Sequence, residues 1–185
     1  MPMPDGPIHV DFIAPAAHGL PGRLGLTIAP GKWRQGLDSA SDTLVRDDLL
    51  SLRDVHGAKV LVTLLEEFEM KRLAIPELLD VARKVGLRSL WFPIPDVSVP
   101  SDLDATISLV DGIVGHMSRG DTVVIHCRAG LGRSGTVAAC CLVATGRAPA
   151  EAIRMVRKVR PGAVEVESQV EFVKRFARGR AGGHR

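Results

Sequence analysis

Apolar and polar residues alternate along the 185-residue chain in two rhythms. Short apolar and β-branched runs predict strands at Ile8 to Ile13, Leu24 to Ile28, Lys59 to Leu65, Leu90 to Phe92 and Val123 to Cys127. Lys59 to Leu65 is almost continuously apolar, the pattern of a strand covered on both faces. Between these runs, apolar residues three and four apart predict helices. One starts at Ser41-Asp42-Thr43 and stops at Gly57, with Leu44, Val45, Leu49, Leu52 and Val55 at helical spacing. Others run from Pro76 to Val85, Asp102 to Arg119, Ser134 to Thr145, Pro149 to Arg160 and Gln169 to Ala177. The Ser134 to Thr145 segment is apolar nearly all round and is expected to be buried. Strands alternating with helices predict an α/β fold, a central and mostly parallel sheet with helices on both faces. In such sheets ligands bind beyond the C-terminal ends of the strands.

The breaks between elements carry information of their own. Pro30-Gly31-Lys32-Trp33 reads as a turn, with Trp33 expected over the edge of the core. Three prolines stiffen Pro93-Ile94-Pro95-Asp96-Val97-Ser98-Val99-Pro100 and exclude regular structure, and Asp96 projects from its middle. Pro161-Gly162 stops a helix, and Ala163 to Glu167 is a loop. His56 and His116 lie near helix ends; His56 reads as structural and His116 as a surface or dipole-facing residue. Residues 1–7 are expected to be disordered, 8–177 to form a single domain, and 178–185 to be a flexible basic tail.

Candidate chemistry gathers in Val123-Val124-Ile125-His126-Cys127-Arg128-Ala129-Gly130-Leu131-Gly132-Arg133-Ser134-Gly135. A strand, a tight loop and a helix start follow one another. Such a loop aims backbone N–H groups inward, and the helix start adds positive potential, so an oxyanion fits. Cys127 stands at the base of this cup, where those groups favour the thiolate, its nucleophilic form. Arg133 offers a planar fork for two oxygens. Gly130 and Gly132 let the backbone approach the anion, with Arg128, Ala129 and Leu131 completing the lining. Ser134 can donate a hydrogen bond to the sulfur. No Lys-Ser or Lys-Thr pair follows the glycines, which excludes a nucleotide P-loop.

Composition narrows the partners. The net charge is +3, and the basic excess gathers near the C-terminus in Arg154, Arg157, Lys158, Arg160, Lys174, Arg175, Arg178, Arg180 and Arg185. These read as a solvated helix face and a tail. There is no Tyr, hence no stacking platform for single-stranded nucleic acid. No apolar run approaches the ~20 residues of a membrane span, and no basic-then-apolar leader opens the chain. A cytoplasmic monomer is expected, with neither nucleic acid nor membrane as partner. The three cysteines, Cys127, Cys140 and Cys141, make neither a zinc spacing nor a disulfide framework, and no metal or other cofactor is expected. Cys140 and Cys141 are either small core residues or a resolving thiol that protects Cys127.

The string from His126 to Gly135 resembles the active-site loop of the cysteine-based protein tyrosine phosphatases. Pro30-Gly31-Lys32-Trp33, Ile75-Pro76-Glu77-Leu78-Leu79-Asp80, Pro93-Ile94-Pro95-Asp96 and Pro161-Gly162-Ala163-Val164 are similar to the kinase-associated phosphatase (cyclin-dependent kinase inhibitor 3) group of the compact dual-specificity phosphatases. The resemblance implies a phosphate-binding loop between a central strand and a helix, with Cys127 as nucleophile and Arg133 with the amides of Arg128 to Arg133 as phosphate receptor. It implies that Ser134 assists departure of the sulfur, that His126 orders the loop, and that Gln169 positions water. Cleavage also needs a proton for the leaving oxygen, which a carboxylic acid on a loop can deliver. Asp96 fits that place, whereas Asp102 and Asp104 read as helix N-terminal residues. One of Glu66, Glu67 and Glu69 holds Arg133 in a bidentate pair, or the run is an exposed acidic turn.

The activity expected from the resemblance is hydrolysis of phosphotyrosine through a cysteinyl-phosphate intermediate. A shallow cleft would extend it to phosphoserine and phosphothreonine. The partner is then a phosphoprotein or phosphopeptide. Two other readings stand beside it. One is a phosphatase for a non-protein substrate, a phosphoinositide, nucleotide or small phosphate ester, of which the phosphoinositide enzyme would carry more than the single basic side chain found at 128–132. A phosphate-binding module without turnover would not need Cys127, Arg133 and Asp96 together.

Overall fold

A computed structural model describes residues 8–32 and 41–182, with side chains from residue 44 onward in the second segment. Trp33, residues 1–7, the side chains of Ser41-Asp42-Thr43 and residues 183–185 lie outside the described residues. The elements in order are β1 (Asp11–Ile13), β2 (Arg23–Thr27), α1 (Ser41–Asp54), β3 (Ala58–Thr63), α2 (Glu67–Arg72), α3 (Leu78–Lys84), β4 (Arg88–Trp91), α4 (Leu103–Ser118), β5 (Thr122–His126), α5 (Gly132–Ala144), α6 (Pro149–Val159) and α7 (Glu167–Gly182). A single 3₁₀ turn, Pro15–Ala17, follows β1.

The strands form one sheet in the order β1-β2-β5-β3-β4. β1 pairs antiparallel with β2 at one edge, and every other pair is parallel. Side chains alternate between the two faces of a strand, and the inner strands divide accordingly. Leu24, Leu26, Val60, Val62, Val123 and Ile125 face a core built with α4, α5, α6 and α7. Leu61 and Val124 face a second core with α1 and α3. This double burial explains the continuous apolar run of β3. α5 packs between α4, α6 and α7 and is buried from Gly132 to Leu142, as its all-round apolar sequence requires.

Three differences from the sequence pattern stand out. Glu66 to Glu69 is the start of a helix, α2, rather than an exposed turn. His116 is buried and bonds Asp121 through Nδ1 at 2.7 Å. Helix α7 continues through Gly182, so residues 178–182, read above as a flexible tail, are helical, and Arg180 pairs with Asp111 of α4 at 2.5 Å. No helix among the described residues is long and apolar enough to cross a membrane.

The register brings Thr27, His126 and Thr63 level at the C-terminal ends of three adjacent strands. Cys127 is the next residue of the central one.

Candidate active site

Cys127 leaves the end of β5 and is buried. Its Sγ stands 3.4 Å from the Ser134 hydroxyl, which lies within the first turn of α5. The main chain at the sulfur is held from behind by His126. This imidazole is fully buried, and burial pushes its pKa down to about 4, the Cys127 carbonyl opposing that shift and Arg133 adding to it. A neutral ring can serve both contacts observed: Nδ1–H donates to the Cys127 carbonyl (3.2 Å) and Nε2 accepts from the Thr63 hydroxyl (2.8 Å).

Arg133 follows Gly132 at the start of α5 and is 2 % exposed. Nη1 donates to Glu69 Oε2 (2.6 Å) and to the Ile94 carbonyl (2.9 Å), and Nη2 donates to Glu69 Oε1 (2.9 Å). Of the three glutamates considered from sequence, α2 turns Glu69 inward; Glu67 pairs instead with Lys71 one turn along at 2.7 Å. Glu69 Oε2 also accepts from the Glu66 N–H at 2.9 Å, which fixes the carboxylate to its own helix start. Burial pulls the guanidinium pKa down, but the Glu69 hydrogen bonds, then the Cys127 sulfur and both nearby carboxylates, outweigh it and hold it above its ordinary value.

Asp96 reaches the same guanidinium. Its Oδ1 lies 2.8 Å from Arg133 Nη2, and its Oδ2 lies 3.9 Å from Nη1 of the exposed Arg128. The carboxylate is 47 % exposed, so it is open to solvent on one side and to the loop on the other. Cys127 and Arg133, from one stretch of sequence, and Asp96, from another, thus meet at one strand end.

The chain was compared with known proteins. Residues 36–147 match the family model described as a polymorphic toxin system DSP-PTPase phosphatase. The chain belongs to that family. Cyclin-dependent kinase inhibitor 3 of Rattus norvegicus is 32 % identical over 111 residues, 58 % of this chain and 52 % of the rat protein. The chain thus spans about half the length of that relative. A crystal structure of kinase associated phosphatase, with its catalytic-site cysteine replaced by serine, superposes with a TM-score of 0.85 at 25 % identity, covering 98 % of this chain and 99 % of that one. Tk-PTP in its active form superposes with a TM-score of 0.69 at 30 % identity, covering 91 % and 96 %.

In this DSP-PTPase the loop glycines have separate reasons. Gly130 adopts φ +71°, and a Cβ there would overlap the Thr27 carbonyl and stand 2.9 Å from Arg160 Nη2. A Cβ on Gly132 would overlap Glu165 Oε2 and stand 2.8 Å from Gln169 Nε2. Leu131 and Ala129 contribute main chain: the Leu131 carbonyl accepts from Gly135 N–H at 2.9 Å, and the Ala129 carbonyl is held by Arg160.

Gln169 is fully buried, and its amide is engaged at both ends. Oε1 accepts from the Glu165 N–H (2.9 Å) and Nε2 donates to the Ser98 carbonyl (3.1 Å), so it ties the Asp96 loop to the segment between α6 and α7.

Four further residues of the DSP-PTPase escaped the sequence reading. Arg160, counted above with a solvated basic face, donates from Nε to the Gly130 carbonyl (3.1 Å) and from Nη2 to the Ala129 carbonyl (2.8 Å). Asp11 of β1 holds its Nη1 at 2.5 Å. A signal for this was present. Arg160 falls four residues after buried Val156 and eight after buried Ala152, on the inward stripe of α6. Lys32, placed by Gly31 whose N–H donates to buried Asp48 at 2.7 Å, sits half-buried near the cup. Burial first, then Arg128, lowers its ammonium pKa, while Cys127 and Asp96 raise it. Glu165 is the fourth. Cys140 and Cys141 lie in the core of α5, and burial pushes both thiols above their ordinary value.

Proposed function

We propose that this protein is a metal-independent phosphoprotein phosphatase, hydrolysing phosphotyrosine, and phosphoserine or phosphothreonine as well, through a cysteinyl-phosphate intermediate. One observation carries the reading: Cys127 Sγ within reach of Ser134, beside a buried Arg133 that Glu69 fixes and Asp96 touches. In the first step Cys127 Sγ attacks phosphorus, the amides of residues 128–133 and the Arg133 fork take the equatorial oxygens, and Asp96 protonates the departing oxygen. In the second step water displaces the sulfur, its proton passing to the Asp96 carboxylate, and the Ser134 hydroxyl stabilises the thiolate as it leaves. Arg133 needs no reorganisation, because Glu69 and the Ile94 carbonyl orient it before substrate arrives.

Residues 8–177 act as one catalytic unit, working as a monomer in the cytoplasm. A reducing compartment supports that placement, since Cys127, Cys140 and Cys141 are all free thiols.

A second reading, a non-protein phosphate ester as substrate, is favoured by Lys32. With Arg128 it brings the mouth more positive charge than the loop sequence alone suggested. A panel of phosphopeptides, phosphoinositides and nucleotides, scored by released phosphate, decides between the two. Turnover of phosphopeptides by the wild type, abolished in Cys127→Ser and inhibited by vanadate, is the expected result. Phosphate release confined to lipids or nucleotides gives the second reading, and phosphopeptide binding without release refutes both.

A further inference from the structure

Four large apolar side chains stand exposed among the described residues: Val55, Phe68, Trp91 and Val97. Val55 is set apart, between α1 and the start of β3. The other three follow or end β3 and β4 on the side of the sheet where Cys127 lies. Phe68 precedes Glu69 in α2, so an exposed ring and the carboxylate that holds Arg133 share one turn of helix. Trp91 ends β4, and its Nε1–H donates to the Leu65 carbonyl at 2.8 Å, which ties the indole to the segment leading into α2. Val97 adjoins Asp96.

The strand order puts a different chemistry on the opposite side. β5 lies between β2 and β3, so the chain beyond β2 and the chain beyond β3 and β4 flank Cys127 from two sides. Beyond β2 the main chain is bonded to the phosphate loop: the Ala29 N–H donates to the Arg128 carbonyl (3.4 Å), and the Lys32 N–H donates to the Ala29 carbonyl (3.1 Å). Lys32 is thereby held at that rim, half-buried, where its ammonium feels the charges of Arg128, Cys127 and Asp96. A phosphorylated residue that enters the cup brings neighbours across both flanks. In an extended peptide the side chains two positions before and after it point the same way, about 7 Å to either side. A small phosphate ester has no such neighbours.

We propose that the mouth reads an extended phosphopeptide with an acidic residue on the Lys32 side and a large apolar residue on the side of Phe68 and Trp91. The carboxylate meets a half-buried ammonium, which is screened less than one in open water. The apolar side chain covers rings that are otherwise wetted. The indole, already fixed by its bond to Leu65, loses little freedom on contact. The proposal rests on the phosphoprotein reading and names the substrate class within it.

Phosphotyrosine peptides with Glu two positions to one side and Leu two positions to the other, made in both orders, test it. Control peptides replace Glu by Gln or Leu by Ser. Each kcat/KM is divided by the same enzyme's value for p-nitrophenyl phosphate, which has no flanking residues. For the wild type we expect one order to exceed its Gln and its Ser controls by roughly fivefold each, mainly through KM. Lys32→Met should abolish the glutamate preference and keep the leucine preference, and Lys32→Arg should restore the former. Phe68→Ala and Trp91→Ala should each lower the leucine preference and keep the glutamate preference. Absence of either preference in the wild type overturns the proposal and leaves the phosphatase reading standing. So does a glutamate preference unchanged in Lys32→Met, or a leucine preference unchanged in both aromatic variants. A wild-type protein that acts on p-nitrophenyl phosphate and on none of the peptides overturns the phosphoprotein reading beneath the proposal, a different result.

Discussion

Glu69 and Arg133, 64 residues apart in sequence, share two hydrogen bonds of 2.6 and 2.9 Å in a place where both side chains are almost wholly removed from water. The pair fixes the plane of the guanidinium. Breaking a buried pair by removing one partner strands a charge, which costs about 3–5 kcal/mol. Glu69→Gln should therefore lower both urea stability and kcat/KM for an aryl phosphate. Glu67→Gln, whose exposed pair with Lys71 is worth little, should change neither. Parallel urea titrations and steady-state assays check both.

Asp96 and an incoming phosphate compete for Arg133 Nη2. Asp96→Ala should therefore tighten vanadate binding while lowering kcat, by roughly 10²- to 10⁴-fold for an alkyl phosphate that needs a proton donor. A good aryl leaving group should suffer less. Vanadate inhibition constants and a leaving-group series measure the two effects separately. Full activity of the variant on an alkyl phosphate would exclude Asp96 as the acid.

His126 makes stability depend on pH. Its folded pKa is near 4, below the ordinary 6.5, so the unfolded chain binds the proton first as pH falls. Stability is fully present above about pH 6.5 and declines towards pH 4, by roughly 3 kcal/mol in all. Urea midpoints followed from about pH 7 to about pH 4 should show this slope. His126→Gln, which cannot take up the proton, should lack that part of it.

Arg160 satisfies two carbonyls of the loop after Cys127, those of Gly130 and Ala129. Arg160→Met should leave both unpaired, costing roughly 2 kcal/mol and weakening vanadate binding. Arg160→Lys should restore part of each, and Asp11→Asn should fall between. Thermal melting with vanadate titration tests the series, and unchanged vanadate affinity in Arg160→Met would show that the loop keeps its shape without the clamp.

The alternation of strands and helices was legible because each inner strand is buried on both faces and each helix carries a clear stripe. The loop from Cys127 to Ser134 was legible for a different reason: its residues are local and each residue type suits a separate chemical task. Long-range choices were not. Nothing in Glu66-Glu67-Phe68-Glu69 says which carboxylate turns inward until α2 sets the phase. Arg160 was hidden among basic neighbours, although its place on the stripe of Val156 pointed inward. The segment 178–182 looked like a tail because its sequence is polar, yet Arg180 has partners in Asp111 and the Phe176 ring that extend the helix.

The burial of Cys140 and Cys141 bears on how the molecule survives peroxide. Ser134 marks the end of α5 nearest the Cys127 sulfur, and Cys140 and Cys141 follow six and seven residues later along the same rigid rod. That is about 9–10 Å of helix, and burial pushes both thiols above their ordinary pKa. A sulfenic acid at Cys127 therefore finds in Cys140 and Cys141 only thiols that burial holds protonated and poorly nucleophilic. Small thiols from solution are then the readier partners for its rescue.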